Sequence, residues 1–476
     1  MMAEPADLEL PAPLVALCRA VAEAGGRALV VGGWVRDQLR GHPSPEVDLE
    51  VFGLEPGRLK ELLAARGAID AVGEAFTVYK LRLRDAPELT PVDVSLPRRE
   101  SKSGRGHRGF TVTGDPHLPL DEAARRRDFT VNAISWDPLT RELVDPFHGA
   151  ADLERRRLRH VDPATFADDS LRVLRAVQFA ARLELTVDPE TVVLCRQLPL
   201  DDLPPERVWA EVEKWLLRSS RPSIGWQAAR ELGVVSRLWP ECEALVGCEQ
   251  EEEWHPEGDV WTHTGLVLDE AAQLRAGLDR PRALTLMLAA VAHDFGKPAT
   301  TVRERGRTRS PGHEAAGVGP AERFLDRLNV HGFDGYDVRR QVLALVQHHL
   351  APTHFWNSER RGDRVSEGAF RRLALKVDPD LLHRLALADS RGRGTAEPSP
   401  APDWLFRRMR ELEVDRGAPQ PLLLGRHLLD LGLEPGPRIG RLLAAVYERQ
   451  LDGSVRSLDA AVAAARSLIA EERGGE

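Results

Sequence analysis

Cysteine is scarce in this 476-residue chain: Cys18, Cys195, Cys242 and Cys248 are the only four, and none forms a CxxC pair. A disulfide framework is therefore excluded. No run reaches eighteen apolar residues, so no membrane-spanning helix is expected. The acidic opening MMAEPADLE is unlike a secretory or mitochondrial leader. No internal repeat stands out, and the 39 glycines and 34 prolines follow no three-residue period, which removes a collagen-like rod. An excess of positive charge is also missing, since Lys+Arg 65 against Asp+Glu 74 gives a net charge of -9. A chain basic all over is excluded, whereas nucleic acid held at a local basic patch is not. What remains is ordinary for a globular protein, with 42% hydrophobic and 29% charged residues. The length predicts about three domains with sizeable cores. The expectation is a reduced, cytoplasmic, multi-domain protein with no membrane partner.

Apolar residues at helical spacing over 10–24, closed by Gly25-Gly26, predict a first helix. Residues 28–31 read as a buried strand running into Gly32-Gly33, with a helix over 34–39. Residues 46–52 alternate polar and apolar as a half-buried strand does. A helix over 57–66, an extended stretch over 76–84 and a short strand over 91–95 follow. This mixture predicts an α+β head over 1–145, built on a mixed β-sheet. The polar stretch 96–121 predicts a loop with a hairpin through 109–113. Beyond Asp168 helical periodicity takes over. It predicts an all-helical body over 146–250, a helical domain over 251–395 and a helical tail over 396–476, with a linker at 392–402.

Chemistry-bearing residues concentrate in three places. Gly32-Gly33-Trp34-Val35-Arg36-Asp37 lies at a strand-to-helix junction, where glycines let backbone approach a phosphate and Arg36 adds a charged donor. Asp48 and Glu50, two apart on a strand, leave the same face, and Asp93 lies on another short strand. Three oxygen ligands on rigid strands suit Mg²⁺, and the competing reading is a solvated sheet face. Asp168, Asp169 and Arg172 stand at i,i+3 and i,i+4 spacing, which predicts one shared helical face, with Arg175 continuing it. A carboxylate beside a guanidinium can imitate the Watson–Crick edge of a base.

GGWVRD, VDLEVFG and PVDVS, in this order, resemble the class II nucleotidyltransferases, the bacterial CCA-adding enzymes and poly(A) polymerases. The resemblance implies a polymerase-beta-like head in which Asp48, Glu50 and Asp93 are catalytic and hold Mg²⁺. Glu50 stands where the family usually carries Asp. RRDFTVNAI resembles one of the family's sharpest motifs, and implies nucleotide binding by Arg127, Asp128 and Asn132 together with Gly32, Gly33, Arg36 and Arg175. DDSLR resembles the family's template-free base-selecting element, which puts base choice on Asp168, Asp169 and Arg172. ERVWAE resembles its ERxxxE element, and implies that Glu206, Arg207 and Glu211 brace the nucleotide-reading helix from behind.

Histidines gather late, with 12 of 15 after residue 140. His263, His293-Asp294, His313, His348-His349 and Asp389 lie in or beside helical pattern at helix-length intervals, so a bundle can turn them inward. A mixed His/Asp set suits a transition metal, with Ni, Mn, Zn and Fe all open. AHDFGK with its flanks resembles the HD phosphohydrolase domain fused to some CCA-adding proteins. The resemblance puts a metal on His263, His293, Asp294 and Asp389, and leaves His313, His348 and His349 to complete a second metal or to bind phosphate. Its substrates would be phosphoesters such as 2′,3′-cyclic phosphates or 2′-nucleotides.

The activity implied is addition of CCA to the 3′ end of tRNA from CTP and ATP, releasing pyrophosphate, with the acceptor arm as partner and a metal-dependent hydrolase attached. The long stretch 98–124, with RESKSGRGHRGF, resembles the loop of complete CCA enzymes. Alternatives are A-addition alone, poly(A) synthesis, or an HD hydrolase whose N-terminal half only binds RNA.

Overall fold

The alternating and apolar runs of the first 145 residues become strands because each can bury one or both faces. In the computed structural model, which describes residues 4–42, 44–72, 78–89, 91–102, 110–333, 335–394 and 397–474, these strands are β1 (Arg27–Val31), β2 (Asp48–Phe52), β3 (Gly67–Val72), β4 (Val78–Leu83), β5 (Val92–Ser95), β6 (Arg98–Lys102), β7 (Phe110–Gly114), β8 (Ser135–Trp136) and β9 (Leu143–Val144). Seven of them form one mixed sheet in the order β3-β4-β5-β2-β1-β8-β9. β1 is an interior strand, paired on both edges, and Ala28 to Val31 are all buried because the sheet is covered on both sides. Leu29 and Val31 pack with Phe52, Leu118 and Ala123. Leu14, Leu17 and Val21 are the buried stripe of the helix Ala12–Glu23, which packs on β1.

Within the sheet β2 pairs with β5 in parallel, and the register sets Asp48 beside Asp93. Every other pairing in the sheet is antiparallel. β6 and β7 form a separate antiparallel hairpin. The expected hairpin at 109–113 is thus one arm of a longer ribbon, whose tip at 103–109 lies outside the described residues. The sheet confirms the expected α+β class.

The chain divides into two compact units, Met1–Trp215 with Ile224–Leu238, and Leu216–Ser223 with Trp239–Glu476. In the first, the sheet is followed by helices, chiefly Leu171–Leu183, Pro189–Gln197, Pro205–Arg218 and Pro222–Glu231. One short parallel pair, Arg157–Leu158 with Thr186–Val187, interrupts the helical run. It was not legible because two-residue strands carry no period.

The second unit is helical apart from a small hairpin, Val302–Glu304 with Arg307–Arg309. Four helices form its centre: Val260–Leu274, Arg280–Ala292, Val338–His348 and Pro379–Gly392. Each starts on an aspartate whose carboxylate accepts a backbone N–H of the first turn: Asp259, Asp279, Asp337 and Asp378. Residues 283–292 are buried on every side, so Arg280–Ala292 is the bundle's inner helix. The tail helices Gly425–Asp430, Pro437–Leu451 and Leu458–Gly474 bury their own cluster, including Leu428, Leu442, Val446 and Ala465. Among the described residues no helix is long and apolar enough to cross a membrane.

Candidate functional site

Asp48 opens β2 and is exposed, while Glu50, two residues on, is only 3% exposed. The sheet therefore separates two carboxylates that alternation alone puts on one face. Partial loss of water first, and then the charge of Asp93, push the Asp48 carboxyl up, with Arg127 pulling back and Glu46 adding to the rise. Lys80 Nζ lies 3.9 Å from Asp93. Like charges gathered beside an open sheet end are a chemistry that a divalent cation relieves, so the donor set fits Mg²⁺.

Glu50 does not join them. Its Oε1 accepts from Arg126 Nη2 at 2.6 Å and its Oε2 from Arg127 Nη2 at 3.5 Å. Among the described residues Asp48, Glu50 and Asp93 are not drawn around one point, and Glu50 is held as a buried ion-pair partner of the two arginines.

Behind the acids lies one continuous polar network. Arg36 is 3% exposed and stacks over Phe179 at 5.3 Å. Its Nε and Nη2 donate to Asp37 at 2.8 and 2.9 Å, and its Nη1 donates to Asn132 Oδ1 at 2.6 Å. Asn132 Nδ2 donates to Asp128 Oδ1 at 3.0 Å, and Arg175 donates to Asp128 Oδ2 at 2.7 Å. Burial works against the Asp128 charge, but the Arg175 guanidinium and the Asn132 hydrogen bond hold its carboxyl below the usual range. Gly32 has φ +70, a region that favours glycine, and a side chain there would meet Arg127 Nη1 at 3.2 Å. Gly33 begins the helix Gly33–Leu39.

Asp168 and Asp169 precede the helix Leu171–Leu183, so the expected shared helical face is corrected: Arg172 alone of the three is helical. The Asp169 carboxylate accepts the Leu171 N–H at 3.1 Å and the Arg207 Nη2 at 2.8 Å. Arg172 turns back, donating to the carbonyls of Thr165 and Arg126, each at 2.7 Å. Glu211 is buried, 4.0 Å from Arg175 and 2.8 Å from Lys214. Glu206 is exposed. Arg207 and Glu211 thus reach the acidic turn and the Arg175 network, whereas Glu206 does not.

In the second unit, His263 lies in Val260–Leu274, His293 and Asp294 follow Arg280–Ala292, His313 opens His313–Ala316, His349 follows Val338–His348, and Asp389 lies in Pro379–Gly392. All six are buried. His348 is not in the cluster; neighbouring positions at a helix end point apart, and His349 is the one turned inward. His263 Nε2 is 3.1 Å from Asp389 Oδ1 and 3.8 Å from Asp294 Oδ2. His313 Nε2 is 3.3 Å from Asp294 Oδ1 and 3.2 Å from His349 Nε2. Gly296 makes the approach possible, since a side chain there would sit 2.0 Å from the His313 carbonyl.

The ring nitrogens share one orientation. Nδ1 of His293, His313 and His349 faces the carbonyls of Ala290, Ser310 and Val346 at 2.9, 2.8 and 2.7 Å, and Nδ1 of His263 faces Glu257 at 2.8 Å. Each Nδ1 meets an acceptor, which turns each Nε2 towards the centre of the cluster, the arrangement a metal-ligating histidine takes. Burial, with the charges of His293 and His313, pushes His349 down to about 3, so it is neutral. His293 Nε2 is buried 3.2 Å from Asp294 Oδ2. The ligand atoms form two close groups, His263–His293–Asp389 and Asp294–His313–His349, which fit transition-metal ions.

Three supporting residues went unnoticed in the sequence. Glu257 is buried, and although burial opposes its charge, hydrogen bonds from His255 and His263 bring its carboxyl down to about 2. Lys297 Nζ lies 2.7 Å from Asp294 Oδ2, and Arg393 donates to Asp389 at 2.9 Å. A lysine three residues after Asp294 and an arginine four after Asp389 are helical spacings, which was the available signal.

Residues 28–159 match the poly A polymerase head domain, and 184–245 match the probable RNA and SrmB-binding site of polymerase A. The multifunctional CCA protein of Xanthomonas campestris pv. campestris (strain B100) is 35% identical over 454 residues, 92% of this chain and 98% of that protein. That of Methylococcus capsulatus is 38% identical over 449 residues, 91% and 96%. In fold, the chain is similar to the Bacillus stearothermophilus CCA-adding enzyme in complex with CTP, with a TM-score of 0.63, 20% identity, and 98% and 100% of the two chains covered.

Proposed function

The chain belongs to the multifunctional CCA proteins and is a CCA-adding tRNA nucleotidyltransferase, and from that premise we propose how its residues divide the work. The tRNA 3′-hydroxyl oxygen bonds to the α-phosphorus of CTP or ATP, the bond to the β-phosphate bridge breaks, and pyrophosphate leaves. Asp48 and Asp93 would hold Mg²⁺, which when bound neutralises triphosphate charge and acidifies the attacking hydroxyl. Glu50 positions Arg126 and Arg127, the latter facing the triphosphate. Arg36, its donors spent on Asp37 and Asn132, fixes the Asn132 amide rather than touching phosphate itself. Asn132 and Asp128 then orient the ribose, with Arg175 holding Asp128. Asp168, Asp169 and Arg172 select the base, Arg207 fixing the Asp169 carboxylate.

The observation that carries this reading is the parallel register placing Asp48 beside Asp93, with the Asp48 carboxyl raised by burial first and then by that neighbour. Complete CCA addition is the product favoured by the long segment 98–124. Its test uses tRNAs ending at the discriminator base, at C and at CC, incubated with labelled CTP, ATP or both and sized at single-nucleotide resolution. Extension of the shortest by C, C and A, then arrest, is expected. Extension of the CC-ended substrate alone would reassign the chain to A-addition, and an unlimited A tail to poly(A) synthesis.

The convergence of four buried imidazoles with Asp294 and Asp389 favours a second activity, metal-dependent phosphoester hydrolysis in the helical unit. His263, His293 and Asp389 would hold one ion, and Asp294, His313 and His349 another. Such ions activate water and polarise the phosphoryl group. Lys297 and Arg393 supply positive charge beside the ligands. His293→Ala and Asp294→Ala should abolish hydrolysis and leave nucleotide incorporation intact. Hydrolysis retained in both variants would remove that activity from this cluster, and loss of incorporation together with hydrolysis would overturn the division.

A further inference from the structure

Trp254 is 56% exposed, the bulkiest of the exposed apolar side chains among the described residues. Its indole takes part in no hydrogen bond, ion pair or ring contact there. A solitary exposed aromatic is unremarkable on a loose loop. The turn that carries Trp254 is tied down on both sides. The Glu251 carbonyl accepts the N–H groups of Trp254 and His255 at 3.0 and 2.9 Å. The Glu251 carboxylate accepts the Thr308 N–H at 2.6 Å, which binds the turn to the hairpin at 302–309. Upstream, Gln250 accepts from Lys297 Nζ at 2.6 Å and donates to the Gly258 carbonyl at 3.2 Å. Downstream, Glu257 binds both His255 and His263. The indole is therefore presented from a fixed position, and covering it with a ligand costs little backbone entropy.

What it faces is chemically specific. Trp254 lines a cleft of about 240 Å³ whose lining also includes Asp294, His313, His349 and Asp389, so the cleft reaches the His/Asp cluster. Lys297, Arg309 and Arg393 lie on the same walls. Arg393 Nε is buried with no hydrogen bond, a donor left for a ligand. The cleft thus has both metal ligands with positive charge, which suit an anionic phosphoester, and a broad π-face in one lining. A nucleotide combines those two features, a charged ester and a planar aromatic base, in one small molecule. Stacking on tryptophan tolerates every base, since each has a π-face, whereas a hydrogen-bonding pocket would discriminate.

We propose that Trp254 is the platform on which the base of a nucleotide or RNA terminus stacks while its phosphoester lies over the His/Asp cluster, so that the site prefers nucleotide phosphoesters to base-free ones with little choice among bases. The proposal rests on the hydrolase reading above, and Trp254 acts in it as a positioning residue.

The experiment uses the full chain loaded with Mn²⁺ or Ni²⁺. Hydrolysis of adenosine and cytidine 2′,3′-cyclic phosphates is compared with that of 1-O-methylribose 2′,3′-cyclic phosphate, which has no base. Trp254→Ala is expected to raise KM for both nucleotides roughly tenfold or more, by the usual worth of a stacked base, with kcat unchanged and the base-free KM unmoved. Trp254→Phe should restore most of the loss. An unchanged nucleotide KM, or an equal rise for the base-free ester, overturns the platform. If the wild-type chain hydrolyses none of the three, the hydrolase reading fails, and the platform is then read by binding. Fluorescence of wild type minus Trp254→Phe is followed while AMP or ribose 5-phosphate is added, which cancels the tryptophans elsewhere in the chain. Quenching by AMP alone sustains the platform, and a flat difference signal refutes it.

Discussion

Replacing Glu50 by glutamine, beside Asp48 by asparagine, separates an ion-pair carboxylate from a catalytic one. Glu50 is 3% exposed, and its two oxygens face Arg126 and Arg127 at 2.6 and 3.5 Å. Glutamine keeps the volume but leaves two guanidiniums without their counter-charge. Removing one partner of a buried ion pair costs about 3–5 kcal/mol. The arginine side chains keep 19% and 20% exposure, so water relieves part of the loss and the lower end, about 3 kcal/mol, applies. At about 2–4 °C per kcal/mol for a unit of this size, melting of the first unit should fall by roughly 6–12 °C. Asp48 behaves in the opposite way. Its charge is opposed by burial and by Asp93, so Asp48→Asn removes repulsion and stability should hold or rise. Nucleotide incorporation by that variant should nevertheless drop on the order of a thousandfold, the scale of losing a transition-state charge stabiliser. The assays are calorimetry of both variants and labelled CTP incorporation at saturating Mg²⁺. A Glu50→Gln protein that melts like wild type yet is as inactive as Asp48→Asn would refute the reasoning and put Glu50 on the metal.

Asp128 has a carboxyl held below its unfolded value, so its contribution is present above the ordinary carboxyl pKa, about 4, and is lost as pH falls through the lower folded value. Asp128→Asn should therefore flatten the acid limb of stability below about pH 4, measured as urea midpoints from pH 2.5 to 6. Added Mn²⁺ or Ni²⁺ should raise the melting temperature of the second unit. The increment should shrink from pH 8 to pH 6, because Asp294 and Asp389 raise His293 against its burial and a proton must leave for a ligand to bind. An increment independent of pH would count against the histidine ligands. Gly296→Ala puts a methyl 2.0 Å from the His313 carbonyl. It should cost about 3 kcal/mol and weaken metal retention by dialysis, while incorporation by the first unit persists.

Pattern and spacing carried the sequence reading a long way at the level of elements. Four residues, 28–31, read as a buried strand and became an interior strand of the sheet. The histidines at helix-length intervals did converge, because a bundle turns one stripe of each helix inward whatever the loops do. Period was a poorer guide to single side chains. Residues 48 and 50 share a strand face by alternation, yet one is exposed and the other locked beneath two arginines from 76 and 77 residues away. The i,i+3 and i,i+4 spacing of Asp168, Asp169 and Arg172 implied one helix face, but the helix begins only at Leu171, and Asp169 caps the turn before it.

The sequence by itself determined the α+β head, the helical remainder and which residue types were available for chemistry, since these follow from composition, period and local spacing. Only the tertiary structure decided which carboxylates are paired and buried, which histidine of the pair 348–349 turns inward, and which acceptor each buried Nδ1 faces. Those outcomes depend on partners brought from distant segments, such as Arg126 to Glu50, Arg207 to Asp169 and the Ser310 carbonyl to His313. A buried charge or ring nitrogen takes its state from whatever the fold places within hydrogen-bond reach, and no periodicity along the chain encodes that neighbour.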